Sequence, residues 1–180
     1  MSELFGAVAG YAGHPVVKAC GACSLCCKVM AITALEKPAG VWCRHFAKGQ
    51  GCTIHASLPG ECSRFQCYWS ISEGLGEEWK PDRSRLVLWS NKEGRVIVEV
   101  DPAAPAAWRQ QPYYGQLKTW CDRRRPLPLQ VLVHTGGRMI VLFPETDIDL
   151  GPLVPGAPVE AGYTYQAGRE VPFARWGTPA

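Results

Sequence analysis

From about Arg85 onward the chain carries short runs dense in aliphatic residues, each bounded by turn formers. Arg85-Leu-Val-Leu-Trp89 and Arg95-Val-Ile-Val-Glu-Val100 are β-rich, and Ser90-Asn91-Lys92-Glu93-Gly94 between them predicts a hairpin. Leu129-Gln-Val-Leu-Val133 and Arg138-Met-Ile-Val-Leu-Phe143 repeat the device around Thr135-Gly136-Gly137. Between the hairpins, Pro112 opens a helix that puts Tyr113, Leu117, Trp120 and Cys121 on one face. Arg123-Arg124-Arg125-Pro126 is expected to close it, with cations suiting the negative helix end. Pro152, Pro155 and Pro158 lead into 159–165 and 171–173, which read as short edge strands or an ordered wrap. The second half thus reads as β–β–α–β–β with additions.

The first half has no such pattern. Residues 1–19 are small and apolar with glycines at 6, 10 and 13, so a short docked turn is expected there rather than a long helix. Residues 20–70 are rich in turn formers and hold eight of the nine cysteines. The expected fold is therefore α+β. A small metal-stapled cysteine-rich module over 1–78 precedes a β-rich α+β region over 79–180, two hairpins around one helix, packed on the first as one unit or standing beside it.

Composition narrows the function. A 180-residue chain that is 47% hydrophobic and 19% charged is globular rather than disordered. Its 19 glycines and 15 prolines call for many turns. A net charge of +3 is too small to argue for a nucleic-acid partner. No Lys or Arg precedes the apolar N-terminal stretch, so no secretory signal is expected, and no apolar run approaches a membrane span. The expected compartment is the cytoplasm, without membrane attachment. Thiols stay reduced there, and clustered cysteines usually bind metal; an odd total of nine also suits a fully paired disulfide framework poorly.

The cluster opens with Cys20-x2-Cys23-x2-Cys26-Cys27. A CxxC turn brings two sulfurs to one metal, and a third cysteine two residues later supplies three ligands from one loop. Completed by a distant fourth cysteine, this is a spacing used for four-iron clusters, whereas structural zinc more often shows two separated pairs. Spacing leans towards an iron–sulfur centre over zinc. Adjacent side chains diverge, so Cys26 and Cys27 serve two centres, or one of them bridges a dinuclear site. Cys43, Cys52, Cys62 and Cys67 complete the shells, eight thiolates sufficing for two four-cysteine sites without Cys121. Which sulfur joins which site is not fixed by spacing.

Lys28, Lys37, Arg44, Lys48 and Arg64 outnumber Glu36 and Glu61 in this window. That excess suits a metal–thiolate centre of charge about −2. His45 and His55 read as packed or supporting residues rather than ligands. Trp42, Phe46, Phe65, Tyr68 and Trp69 are expected to shield the centre and supply the module's core.

The run C-x2-C-x2-C-C, followed by Cys43, Cys52, Pro59-x2-Cys62 and Phe65-x-Cys67, resembles the CxxCxxCC cysteine-cluster family of zinc- or iron-chelating domains, which includes flagellin lysine N-methylases. The resemblance covers roughly 18–70 and implies a ligand set of Cys20, Cys23, Cys26, Cys27, Cys43, Cys52, Cys62 and Cys67. Family members commonly carry Arg-Pro where this chain has Leu58-Pro59.

The leading functional expectation is a metal-binding protein holding iron, as an iron–sulfur cluster of the 4Fe-4S type, or zinc, in one centre or two. Its role would be structural or electron-carrying, with an unidentified protein or redox partner. The alternative, drawn from the family link alone, is an enzyme using the cluster in group transfer such as protein lysine methylation. Nucleic-acid binding through Arg123-Arg124-Arg125 and the aromatics Trp108, Tyr113, Tyr114 and Trp120 is disfavoured, because cations at a helix end usually form a solvated face. Cys121 reads as a buried small hydrophobe and His134 as a strand residue facing solvent or a neighbour. Glu145, Asp147 and Asp149 read as the polar face of a strand or turn. Catalytic residues are not assigned.

Overall fold

The computed structural model describes residues 15–91, 93–125 and 128–179, so the turn expected within 1–19 lies largely outside the described residues. The cysteine-rich part consists of one-turn pieces. These are α1 (Cys26–Val29), β1 (Phe46–Ala47), β2 (Gly51–Cys52), α2 (Gly60–Arg64) and α3 (Tyr68–Ile71). Next comes α4 (Pro81–Ser84), with proline at its first position, where the missing N–H costs nothing. Arg85 closes it in the left-handed conformation at φ 63°.

The regular part follows as β3 (Leu86–Ser90), β4 (Val96–Val100), α5 (Tyr113–Trp120), β5 (Val131–Thr135), β6 (Arg138–Leu142) and β7 (Asp147–Pro152). The hairpin β8 (Val159–Gln166) and β9 (Arg169–Trp176) ends the chain.

Both expected hairpins form, but they are not separate units around a helix. They fuse into one five-stranded sheet, β3-β4-β5-β6-β7, because β4 and β5 pair in parallel with Val96 opposite Val131 and Glu99 opposite His134. Parallel pairing needs a long crossover, and the segment carrying α5 provides it. The helix stops at Trp120, short of the arginine run, so its last-turn cation is Lys118. Asp122 ends it instead: its carboxylate accepts the Arg124 backbone N–H at 3.0 Å, a local bond that competes with helix continuation.

Alternate strand residues face opposite sides of the sheet, and both sides are apolar. On one side Val96, Val98, Val131, Val133, Ile140 and Leu142 pack beneath Leu117 and Trp120 of α5 and Cys121 just after it. Leu25, Val29, Cys67, Tyr68 and Trp69 of the cysteine-rich part join the same core. On the other side Ile97, Leu132, Val141 and Phe143 meet Val159, Ala161, Tyr163, Ala174 and Trp176 of the terminal hairpin. The tail is thus a hairpin of two eight-residue strands packed on the second sheet face, longer than the edge strands expected, because that apolar face needs a cover.

Candidate metal centre

The loop before α1 turns back on itself through a Cys23 N–H to Cys20 carbonyl bond of 3.0 Å. Cys26 and Cys27 are the first two residues of α1, and successive helical residues point about 100° apart. Cys26 packs against the main core, while the Cys27 backbone carbonyl accepts the Cys43 N–H at 3.0 Å. The two neighbouring thiols nevertheless meet through a hydrogen bond, where divergence was expected.

The remaining cysteines are brought up by local devices. Phe46 donates its N–H to the Cys43 carbonyl and pairs with Cys52 across β1–β2, so the two cysteines share one small hairpin. The Glu61 carboxylate accepts the N–H groups of Thr33 and Ala34 at 3.2 and 3.0 Å, tying α2, and with it Cys62, to the turn after α1. Cys67 precedes α3, where the Ser70 carbonyl accepts N–H bonds from Val17 and Lys18 and draws the approach to Cys20 alongside.

The sulfurs fall into two groups that join where the Cys26 and Cys27 thiols meet. Cys67 lies within electrostatic reach of Cys20 and Cys23, and Cys26 within reach of Cys23 and Cys67. Cys62 feels Cys27, Cys43 and Cys52. Burial pushes the Cys67 thiol up to about 11, against backbone N–H groups of Trp69 and Leu88 that face its sulfur. Burial likewise raises Cys23, against the N–H groups of Leu25 and Asp82. The hydrogen bond to Cys27 holds Cys26 well above the ordinary thiol range, and burial adds to this. The same bond brings Cys27 down to about 7, helped by Lys37. Of that pair, Cys27 is the thiol whose charged form is favoured. Amides aimed at sulfur favour its charged form, which is the form that ligates metal.

Lys37 lies among these sulfurs at 7% exposure. Its ammonium donates to the carbonyls of Lys28 (2.9 Å), Pro38 (3.0 Å) and Met30. No carboxylate among the described residues pairs with it. Burial lowers its pKa while Cys43, Cys27, Cys26 and Cys62 pull upward.

All nine cysteines are free thiols. Among the described residues, no group of three or more His, Cys, Asp or Glu side chains stands arranged to hold a metal ion. The sulfurs are neighbours, then, without a ready-made ligand shell, and the Cys26–Cys27 contact would have to open for ligation.

Other expected features divide. Tyr68 and Trp69 are buried in the main core, but Trp42 is 44% exposed, stacked on Phe46 at 4.1 Å with Lys28 over its ring. It departs from its expected core role because the segment around it has no core to enter. His45 accepts a 3.4 Å bond from Arg44, and His55 is exposed. Cys121 is buried and its thiol pushed up to about 12 by that burial, an inert group. Asp147 lies on β7 and meets Lys118 (2.9 Å) and Tyr114 (3.0 Å). A recess of about 630 Å3 beside α5 contains Lys118, Arg123 and Arg124, but Asp147, Glu170 and Asp122 respectively neutralise them.

Sequence reasoning missed Asp101, a carboxylate at 1% exposure that pairs with Lys28 at 2.6 Å and Arg85 at 2.8 Å. It anchors α1 to the end of β4, and nothing local signals a partner so distant in the chain. It missed equally the amides of Asp82 and Leu88, which come from α4 and β3 to Cys23 and Cys67. None of the described helices is long and apolar enough to cross a membrane. Comparison with family models, with curated proteins and with solved structures found no match.

Proposed function

We propose that this is a metal-binding protein that chelates iron, as an iron–sulfur cluster, or zinc through Cys20, Cys23, Cys26, Cys27, Cys43, Cys52, Cys62 and Cys67. The metal serves a structural or electron-carrying role. The observation that carries the reading is Lys37. A buried ammonium without a carboxylate partner is costly, and the groups surrounding it are Cys26, Cys27, Cys43 and Cys62. Metal–thiolate centres would supply the missing negative charge.

The donor chemistry agrees: eight free thiols, three of them in the neighbourhood of Cys67 and three in that of Cys62 besides those two, with backbone amides facing Cys23 and Cys67. Thiolates suit zinc and iron–sulfur clusters alike, and the Cys20-x2-Cys23-x2-Cys26 spacing favours the cluster. The resemblance to the CxxCxxCC cysteine-cluster family points the same way. When bound, zinc would cross-link the chain, and an iron–sulfur cluster would add the capacity to carry an electron.

Anaerobic purification followed by metal and acid-labile sulfide analysis tests the proposal. Iron with sulfide and broad absorption near 400 nm is expected, roughly where such clusters absorb; colourless zinc-loaded protein supports the zinc form. A sample free of both metals that stays folded refutes it.

A further inference from the structure

We propose that Cys20 and Cys23 are a dithiol–disulfide pair, closed by exchange with a low-molecular-weight disulfide and, while closed, withheld from metal. The exchange stands on the geometry of one turn; its effect on metal rests on the reading above. Residues 20–23 form a tight turn in which the Cys23 N–H donates to the Cys20 carbonyl at 3.0 Å. Such a turn keeps its flanking Cα atoms within about 7 Å, and a disulfide bridges Cα atoms about 4.4–6.8 Å apart. Gly21 bends the chain at φ 56°, and a Cβ there would meet nothing within 4 Å. Ala19, Cys20, Gly21 and Ala22 are all exposed. The turn can therefore tighten into the bridge without disturbing the core, and a soluble disulfide can reach Cys20 directly.

Neighbouring sulfurs are worse placed to bridge. Cys26 and Cys27 are adjacent in α1, and consecutive Cα atoms lie about 3.8 Å apart, short of the bridging range. Cys67 neighbours Cys20 and Cys23 but belongs to the main core, so a bridge to it would pull on close-packed backbone. Exposure also sets the order of events. The Cys20 sulfur, its proton passing to water, attacks one sulfur of the disulfide RSSR. A Cys20–S–S–R bond forms as the RS–SR bond breaks, and RS− departs. Cys23, half-buried in the same turn, then loses its proton to water, attacks the Cys20 sulfur and expels the second RS−. Both RS− groups take up protons, so the cysteines give up two electrons and two protons and RSSR becomes two RSH. Closure removes two of the eight proposed ligands, and the chain then takes up metal fully only where thiols are kept reduced.

The experiment equilibrates the full, metal-free chain anaerobically with glutathione and its disulfide at graded ratios. Free thiols are blocked with one alkylating reagent, and thiols released by reduction are marked with a second. Trypsin cutting after Lys18 and Lys28 gives peptide 19–28, whose fragmentation separates Cys20 and Cys23 from Cys26 and Cys27; Cys67 falls in another peptide. The second mark should appear first, and paired, on Cys20 and Cys23 of the wild-type chain. Cys20→Ser should abolish the pair, and Cys27→Ser should leave it intact. Zinc affinity of the closed chain should be at least about tenfold weaker and recover on reduction. Closure between Cys26 and Cys27, closure onto Cys67, or glutathione left standing on Cys20 overturns the pair. A closed pair with zinc affinity unchanged overturns the link to metal. Reduced wild-type chain that takes up neither zinc nor iron with sulfide overturns the metal reading and leaves the exchange standing.

Discussion

Replacing Lys37 by methionine removes one positive charge from among the sulfurs while keeping a side chain of similar length. The ammonium is 7% exposed and bonded to three carbonyls, with Cys26, Cys27, Cys43 and Cys62 within its field. At a separation of about 6 Å and an effective dielectric of about 20, a single charge and a centre of about −2 attract by roughly 5 kcal/mol. Burial of the ammonium offsets most of that. Losing a hydrogen-bonding group beside a ligand shell typically weakens metal binding about 10- to 100-fold. That range corresponds to about 1.4–2.7 kcal/mol. In the metal-free protein the substitution relieves an uncompensated buried charge but strands the three carbonyls, so its stability should change by less than about 1 kcal/mol. Competition against a chelator of known affinity measures the first quantity, and urea unfolding of the metal-free protein the second. Metal affinity within twofold of wild type would falsify the role given to Lys37, as would an equal loss of stability with and without metal.

Asp101→Asn removes the carboxylate that binds Lys28, Arg85 and the Ala103 N–H, and should cost about 3 kcal/mol in urea unfolding. Burial pushes the Asp101 carboxyl up, but the Lys28 bond, the Ala103 amide and Arg85 outweigh it and hold the pKa below the usual 3.8. Its contribution is therefore complete above about pH 4 and lost as pH falls through the lower folded value; the variant should show a flatter acid limb, and an unchanged limb refutes the assignment. His134 bonds Glu99 at 2.6 Å, and that bond raises its pKa above 6.5. Its contribution is present below about pH 6.5 and disappears as pH rises through the folded value. The stability gap between wild type and His134→Gln should be wider at pH 6 than at pH 9; an equal gap at both refutes it.

The local sequence pattern was enough to find the strand runs near 86–90, 96–100, 131–135 and 138–142 and the apolar face of α5, because aliphatic density and a helix-starting proline act within a few residues. It also marked Cys20 to Cys67 as the chemically distinctive stretch, since thiol density is a property of composition. The parallel pairing of Val96 with Val131, which fuses two hairpins into one sheet, was not legible: long-range pairing depends on which exposed edges meet after collapse. Nor was the terminal hairpin's length, which answers to the apolar sheet face formed by Ile97, Leu132 and Val141. At the candidate centre, residue types were readable, but neighbourhoods were not. Only the folded chain sets Lys37 among Cys26, Cys27, Cys43 and Cys62, and Asp101 against Lys28. Local propensity acts over a turn or two, whereas the charge a buried group meets is decided by segments that become neighbours only when the whole core closes.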